Sequence, residues 1–238
     1  MNDIGKKPFR IRKYSSKGFD LFKAKPLHFI GAFLLYLVIG SVIVNLLGEG
    51  SSFLYNLVNI ALYAGITVMA HRIYEDENVK LSHAFWGLKK IVPFIIYSLI
   101  YHVFMFGVAL LLFGNVIIQF LFLSTSDANV LMPFITITGA LLGLAMVVVF
   151  ILVFVATFYV SCFILFEDLD AISAIKASFN LAMKNPGKIF LFYLFWLIII
   201  IISLIPLGLG LLISVPSFMA SSYVAWRDQS GFMSVEEV

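Results

Sequence analysis

Polar side chains are rare in the long apolar stretches of this 238-residue chain, and their spacing indicates where chemistry could occur. Three of them follow one another at i, i+3 and i+7 and therefore share one helix face. A polar group surrounded by hydrocarbon needs a partner, which makes such positions candidates for ligand binding or proton transfer. We therefore predict a ligand-binding set that consists of Asn56, Asn59, Tyr63, Tyr101, His102 and Ser217.

The sequence around two of these positions is consistent with a functional role. His102 lies near mid-bilayer depth in its apolar run, where a histidine could relay protons or hold a ligand. Ser217 follows Pro216 in a run with further serines, a pattern typical of the discontinuous helices of transporters. The simpler interpretation is that these side chains only hydrogen-bond to neighbouring helices, for about 0.6 to 2 kcal/mol each. Both interpretations stay open at this point.

Motifs for catalysis or metal binding are missing from the sequence. It contains no HExxH, GxSxG or Walker A pattern, and no pair of intramembrane aspartates. The single cysteine, Cys162, cannot form an internal disulfide, and the four histidines lack the i, i+4 pairing of a metal site. We therefore predict a protein that is not an enzyme, with no catalytic residues, no metal and no cofactor.

The composition is typical of a membrane protein. Hydrophobic residues make up 62% of the chain and charged residues 12%, about half the charged share of a soluble domain. The uncharged runs are long enough to cross hydrocarbon, which takes about 20 residues. The last run is divided by a Pro-Leu-Gly-Leu-Gly turn, so the sequence predicts six spans. The uncharged runs are 27–48, 50–70, 91–126, 128–166 and 189–226.

Basic residues fix the predicted orientation. Lys and Arg are absent from the three predicted external turns, 48–52, 124–132 and 206–210. Because basic residues beside spans stay in the cytoplasm, both termini are predicted to be cytoplasmic. The predicted domains are a basic cytoplasmic or interfacial N-terminal arm, a six-span membrane domain and a cytoplasmic C-terminal tail, at 1–26, 27–228 and 229–238. The basic residues favour membrane lipids with anionic headgroups as partners over nucleic acid, and a protein partner is left open.

The membrane boundaries repeat along the chain. Phe, Leu and Pro stand in register in 19–26 and 179–186, and 85–93 repeats them one residue longer. The return spans end alike, in Tyr74-Glu75-Asp76, Phe166-Glu167-Asp168 and Trp226-Arg227-Asp228. We predict an all-α, polytopic membrane helix bundle of six transmembrane helices with short interfacial cytoplasmic helices, built as a threefold hairpin repeat. The alternative is that aromatic and charged residues merely collect at any membrane interface.

Two details of these elements are also predicted. The stretch 91–123 would form a helix of about 50 Å, longer than a hydrocarbon core of about 30 Å, so a break is expected at Gly114-Asn115. The interfacial helix from Asp170 to Lys184 is expected to bury its large apolar side chains. These side chains are Ile172, Ile175, Phe179 and Met183.

The segment 166–190 carries a family resemblance. It resembles the second cytoplasmic segment of bacterial six-span membrane proteins that include the membrane domain fused to some glycerophosphodiester phosphodiesterases and its uncharacterised stand-alone relatives. The resemblance implies a location in the bacterial cytoplasmic (inner) membrane. It carries over no phosphodiesterase activity, because this chain has no such soluble domain. The matching positions are Glu167, Asp168, Ala174, Ser178, Lys184 and Gly187.

These patterns indicate a multi-pass integral membrane protein without an evident catalytic site. The favoured functions are a membrane scaffold or assembly partner and a lipid-handling component. The alternative is a small secondary transporter or channel with a polar site among spans 2, 3 and 6. A groove that opens to lipid would favour lipid handling, whereas a closed central polar cavity would favour transport.

The orientation can be tested by labelling single cysteines in cells. Cysteines placed at Ser51 and Ser126 should react with a membrane-impermeant maleimide from outside, because both positions lie in predicted external turns. Ser173→Cys should react only after the membrane is permeabilised. External labelling at that position would contradict the six-span orientation with both ends inside.

Overall fold

The computed structural model describes residues 8–48, 51–123 and 128–232, and in these ranges the chain forms helices and no strand. Parts of the predicted arm, tail and external turns, including Ser126, lie outside the described residues. The helices are α1 (Ile11–Ala24), α2 (Pro26–Leu47), α3 (Ser51–Tyr74), a 3₁₀ helix (Leu81–Lys90), α4 (Ile91–Leu123), α5 (Ala128–Ala156), α6 (Val160–Phe166), α7 (Ala171–Ala182), α8 (Pro186–Leu204) and α9 (Leu211–Ser230).

Four helical stretches among the described residues are long and apolar enough to cross a membrane. In the most apolar part of each stretch, at most 28% of the residues are buried inside the protein, so most side chains there are at least partly exposed. Such a surface suits a hydrocarbon environment and is compatible with an integral membrane protein. The stretches are Pro26–Leu46, Leu81–Leu111, Gly139–Phe166 and Pro186–Leu204.

The other two predicted spans, α3 and α9, are more polar and more enclosed. Helix α9 packs against α1, α2, α3 and α8, and α3 packs against the 3₁₀ helix, α2 and α9. Serines 214, 217 and 221 of α9 are buried. A helix that contacts protein can carry such residues because neighbouring helices supply hydrogen-bond partners. This enclosure accounts for the polar residues of α9.

The chain divides into two compact units, Met1–Ser98 with Val155–Val238, and Leu99–Phe154. The second unit contains most of α4 and α5. Helix α4 runs without interruption through Gly114 and Asn115, so the predicted break there is wrong. A glycine inside a helix costs only about 1 kcal/mol, whereas an unsatisfied backbone group in hydrocarbon costs several kcal/mol. The helix therefore continues.

In the first unit, short helices approach their neighbours backbone to backbone. Helix α1 lies on α9 so closely that a Cβ atom on Gly18 would stand 2.1 Å from the Oγ of Ser221. The 3₁₀ helix lies on α3, where a Cβ atom on Gly65 would stand 1.5 Å from the carbonyl oxygen of Ala84. Neither contact tolerates a larger side chain, so small residues determine both helix pairs.

Helix α7 meets the α5–α6 junction through a serine. The Oγ of Ser178 donates a hydrogen bond to the carbonyl of Ala156 (2.5 Å) and accepts one from the backbone N–H of Tyr159 (3.0 Å). These bonds satisfy backbone groups at the point where α5 ends, shortly before α6 begins. An interruption that would otherwise be costly in an apolar region is thus tolerated.

The buried face of α7 differs from the predicted one. Ile172 and Phe179 are 53% and 50% exposed, so the predicted burial of the large apolar side chains is wrong for these two. Helix packing next to lipid selects small residues that allow close approach, and large apolar residues can face hydrocarbon without cost. The side chains that α7 buries are Ala171, Ala174, Ser178, Leu181 and Ala182.

Substitution of a contact glycine tests this packing. Gly65→Ala should destabilise the purified protein in detergent by roughly 1–3 kcal/mol, because its methyl group would overlap Ala84. The thermal unfolding midpoint should fall accordingly. Gly107→Ala is the matched control, since no described atom lies within 4 Å of the place that its methyl group would take. We expect that variant to melt at or slightly above the wild-type temperature. Equal melting of the two variants would contradict the backbone contact.

Candidate functional site

A cavity of about 750 Å³ lies between α1, α8 and α9 in the first unit. Its walls are 11–19 of α1, 195–203 of α8 and 210–217 of α9. Phe19, Phe195 and Ile213 line it and are also exposed on the protein surface. The cavity is therefore open to the surroundings of these apolar helices, and we call it the lateral groove. Its volume is within the range of about 300–1,000 Å³ that is typical of ligand sites.

Four polar atoms in the wall of the lateral groove are buried and have no hydrogen-bond partner among the described residues. Trp196 and Ser217 are only 4% and 1% exposed, so little of either side chain contacts bulk water. Leaving one such group unsatisfied costs about 1–3 kcal/mol. A ligand that offers complementary polar atoms would recover this free energy. The four atoms are Ser15 Oγ, Trp196 Nε1, Ser214 Oγ and Ser217 Oγ.

Trp196 occupies a position that has a satisfied counterpart elsewhere in the chain. The third, sixth and tenth residues after the first proline are buried in both α2 and α8. The tenth residue is Tyr36 in α2, whose hydroxyl donates to the carbonyl of Ala84 (2.5 Å). In α8 it is Trp196, which lines the lateral groove and whose indole N–H has no hydrogen-bond partner among the described residues. Aligning the two boundary motifs and counting to the tenth residue was the sequence signal that could have identified Trp196.

Among the predicted ligand-binding residues of the first unit, Asn56, Asn59 and Tyr63 do not line the lateral groove with Ser217. Tyr63 lines a second, smaller cavity of about 260 Å³ between α3, α6, α8 and α9. Asn56 is exposed and its carbonyl accepts a hydrogen bond from Ser98, while Asn59 has a buried side-chain oxygen without a partner among the described residues. Tyr101 and His102 belong to the second unit, where their rings meet edge to face at 5.8 Å. Ser217 and Tyr63 thus line separate cavities.

Polar contacts at the last turn of α9 hold α1 in place. The hydroxyl of Tyr14 donates to Asp228 (2.6 Å) and accepts from Gln229 (2.9 Å). Lys13 lies 3.4 Å from the same carboxylate. Burial, and next the bond to Asp228, raise the pKa of Tyr14, so its hydroxyl remains a donor at physiological pH. These bonds fix the wall that α1 gives to the lateral groove.

A second polar cluster surrounds Arg227. Its guanidinium pairs with Glu75, donates to the hydroxyl of Tyr223 (3.1 Å) and lies 4.3 Å from the ring centre of Tyr74. The Nδ1 of His71 lies 2.7 Å from the same Tyr223 oxygen. The cluster joins the ends of α3 and α9. Because the charges of Arg227 and Glu75 are largely buried, removing one alone would leave the other uncompensated.

The residues of the family resemblance occupy structural positions. Ser178 forms the contact between α7 and the α5–α6 junction, and Ala174 is buried on the same helix. Asp168 binds Lys90 and has a positive φ of 54°, whereas Glu167 is exposed. Lys184 and Gly187 are exposed near the junction of α7 and α8. Within the part of the chain described, no group of three His, Cys, Asp or Glu side chains is placed to hold a metal ion.

Comparisons with other proteins give no match: neither protein-family models, nor curated proteins, nor solved structures are significantly similar to this chain. The resemblance of 166–190 therefore stays a prediction.

His71 belongs to the polar cluster around Arg227 and lies beyond the uncharged run 50–70, and its surroundings predict a pH dependence of stability. Burial, and next the charge of Arg227, lower the pKa of His71 to about 4 from an ordinary value of 6.5. Below about pH 6.5 His71 binds a proton in the unfolded chain but not in the folded chain, so stability falls as the pH decreases towards 4. In His71→Gln this contribution is absent. Thermal unfolding at about pH 7 and about pH 5 should show a smaller loss for the variant than for wild type. An equal loss would contradict the assignment to His71.

Proposed function

We propose that this chain is an integral protein of the bacterial inner membrane that holds a membrane lipid in the lateral groove. The observation that carries the proposal is a set of buried polar atoms that lack a partner among the described residues and line a mainly apolar groove that opens at the protein surface. Lipid handling accounts for the groove better than a scaffold role, which requires no cavity. A protein partner remains compatible with this proposal.

The proposal includes six spans with both termini in the cytoplasm. Helices α3 and α9 contain 24 and 20 residues, which at 1.5 Å per residue correspond to about 36 and 30 Å. Both lengths are sufficient to cross a hydrocarbon core of about 30 Å. Their packing against the apolar helices supports counting them as spans.

We also propose that the chain contains three copies of one unit. The supporting observation is that each short helix packs on a return helix: α1 on α9, the 3₁₀ helix on α3 and α7 on α6. The residue directly before the aligned phenylalanine is small in each copy, namely Gly18, Ala84 and Ser178, and makes the close contact each time. Asp76 and Asp168, which end two of the units, share a φ of 54°.

Transport is the second candidate, and the smaller cavity favours it. Tyr63, Thr67, Tyr193 and Ser222 give that cavity a polar part between α3, α6, α8 and α9. Its volume of about 260 Å³ is below the usual range of ligand sites. The lateral groove is therefore the better candidate site.

Filling the groove tests lipid binding. Ile199→Trp should displace the bound lipid, because residue 199 lines the groove. Ile198→Trp is the matched control, since Ile198 is 52% exposed and does not line the groove. Native mass spectrometry of the proteins in mild detergent should show bound lipid on wild type and Ile198→Trp and a several-fold lower occupancy on Ile199→Trp. Equal occupancy of all three proteins would overturn the proposal.

A further inference from the structure

We infer that the ligand of the lateral groove is an anionic glycerophospholipid, with its phosphate at Arg12 and an acyl-ester carbonyl at Trp196. This inference rests on the proposed function, because it assumes that a lipid occupies the groove. It adds two recognition elements, one for the negative charge of the headgroup and one for the ester.

The polar atoms of the groove favour a ligand that contains a hydrogen-bond acceptor. The indole N–H of Trp196 is a donor only, so a ligand must present an oxygen to it. The hydroxyls of Ser214 and Ser217 can donate to the same oxygen or to a second one. A hydrocarbon chain alone would leave all of these groups unsatisfied. The ester carbonyls of a glycerophospholipid are acceptors attached to long chains, which is the combination that this groove requires.

The positive charge of Arg12 at the edge of the groove favours an anionic ligand. Arg12 is exposed and lines the groove, and it forms no ion pair with any described residue. Its neighbours on α1 are engaged, since Lys13 contacts Asp228 and Lys17 lies 5.5 Å from the ring centre of Tyr74. A guanidinium binds phosphate through two parallel hydrogen bonds. Among the groove-lining residues, Arg12 is thus a cation without an ion pair to any described residue, and it favours a phosphodiester whose charge is not offset by an ammonium group.

The extent of the groove suits one acyl chain. It reaches from Arg12 in the first turn of α1 to Ser203 and Gly210, on either side of the connection between α8 and α9. Exposed Phe195 and Ile213 form its open side. One chain can therefore lie in the groove while the second chain of the same lipid remains in the bilayer.

Three lipids separate the two recognition elements. The full-length protein, delipidated in detergent, is titrated with dioleoyl phosphatidylglycerol, its diether analogue without carbonyls, and dioleoyl phosphatidylethanolamine, and occupancy is read by native mass spectrometry. Wild type should bind the ester phosphatidylglycerol about two- to tenfold more tightly than each of the other two, the range expected for one hydrogen bond or one ion pair.

Two variants assign each preference to its residue. Trp196→Phe should lose the preference for ester over ether and retain the preference for phosphatidylglycerol over phosphatidylethanolamine. Arg12→Gln should show the opposite pattern. Arg10→Gln is the charge control, because Arg10 is an exposed arginine beside α1 that does not line the groove, and it should behave as wild type.

The outcomes distinguish this inference from the proposed function. If wild type binds all three lipids equally and Ile199→Trp weakens each of them, the groove holds lipid but recognises neither the ester nor the charge, and the inference is overturned. If Trp196→Phe leaves the ester preference unchanged, water or protein satisfies the indole, and that element is overturned. If Ile199→Trp changes no binding, the proposed function fails as well.

Discussion

Close approach of helix backbones is the constraint on which this structure depends. Next to hydrocarbon there is no hydrophobic gain from pressing large apolar residues together, so helices associate where small residues let their backbones meet. Gly18 against Ser221 and Gly65 against Ala84 are such contacts, and Ser178 produces the same closeness with a hydrogen bond to Ala156. Each contact attaches one short helix to one return helix.

The lateral groove follows from that constraint. Helix α1 is held on α9 by Gly18 and by the bond between Tyr14 and Asp228, so it lies beside α8 without filling the space in front of it. In the corresponding place along α2, the 3₁₀ helix comes near enough for Ala84 to accept the hydroxyl proton of Tyr36. Helix α1 offers no such acceptor to Trp196. The difference between the two contacts therefore leaves Trp196 available for the binding role proposed above.

The sequence predicted the helical class and the order of short and long helices, because these depend on local hydropathy and on turn residues. It did not predict the buried face of α7, since helical spacing groups the large apolar side chains such as Phe179 on one face but does not show that small residues form the packed face. The predicted break at Gly114 neglected the cost of open backbone groups in hydrocarbon. Counting from the proline could have marked Trp196 as a buried position, but its lack of a partner among the described residues depends on which helix packs opposite, and spacing does not encode that.

The distribution of unsatisfied groups gives the strongest link from structure to function. Eight buried side-chain polar atoms lack a partner among the described residues, and four of them line one groove. Scattered defects would cost about 1–3 kcal/mol each and would gain nothing. Because these four atoms line one groove beside Arg12, a single ligand can satisfy them together. The free energy lost by leaving them unpaired in the empty protein is then recovered as affinity for that ligand. Selection for stability alone would replace such serines with apolar residues, whereas selection for binding retains them.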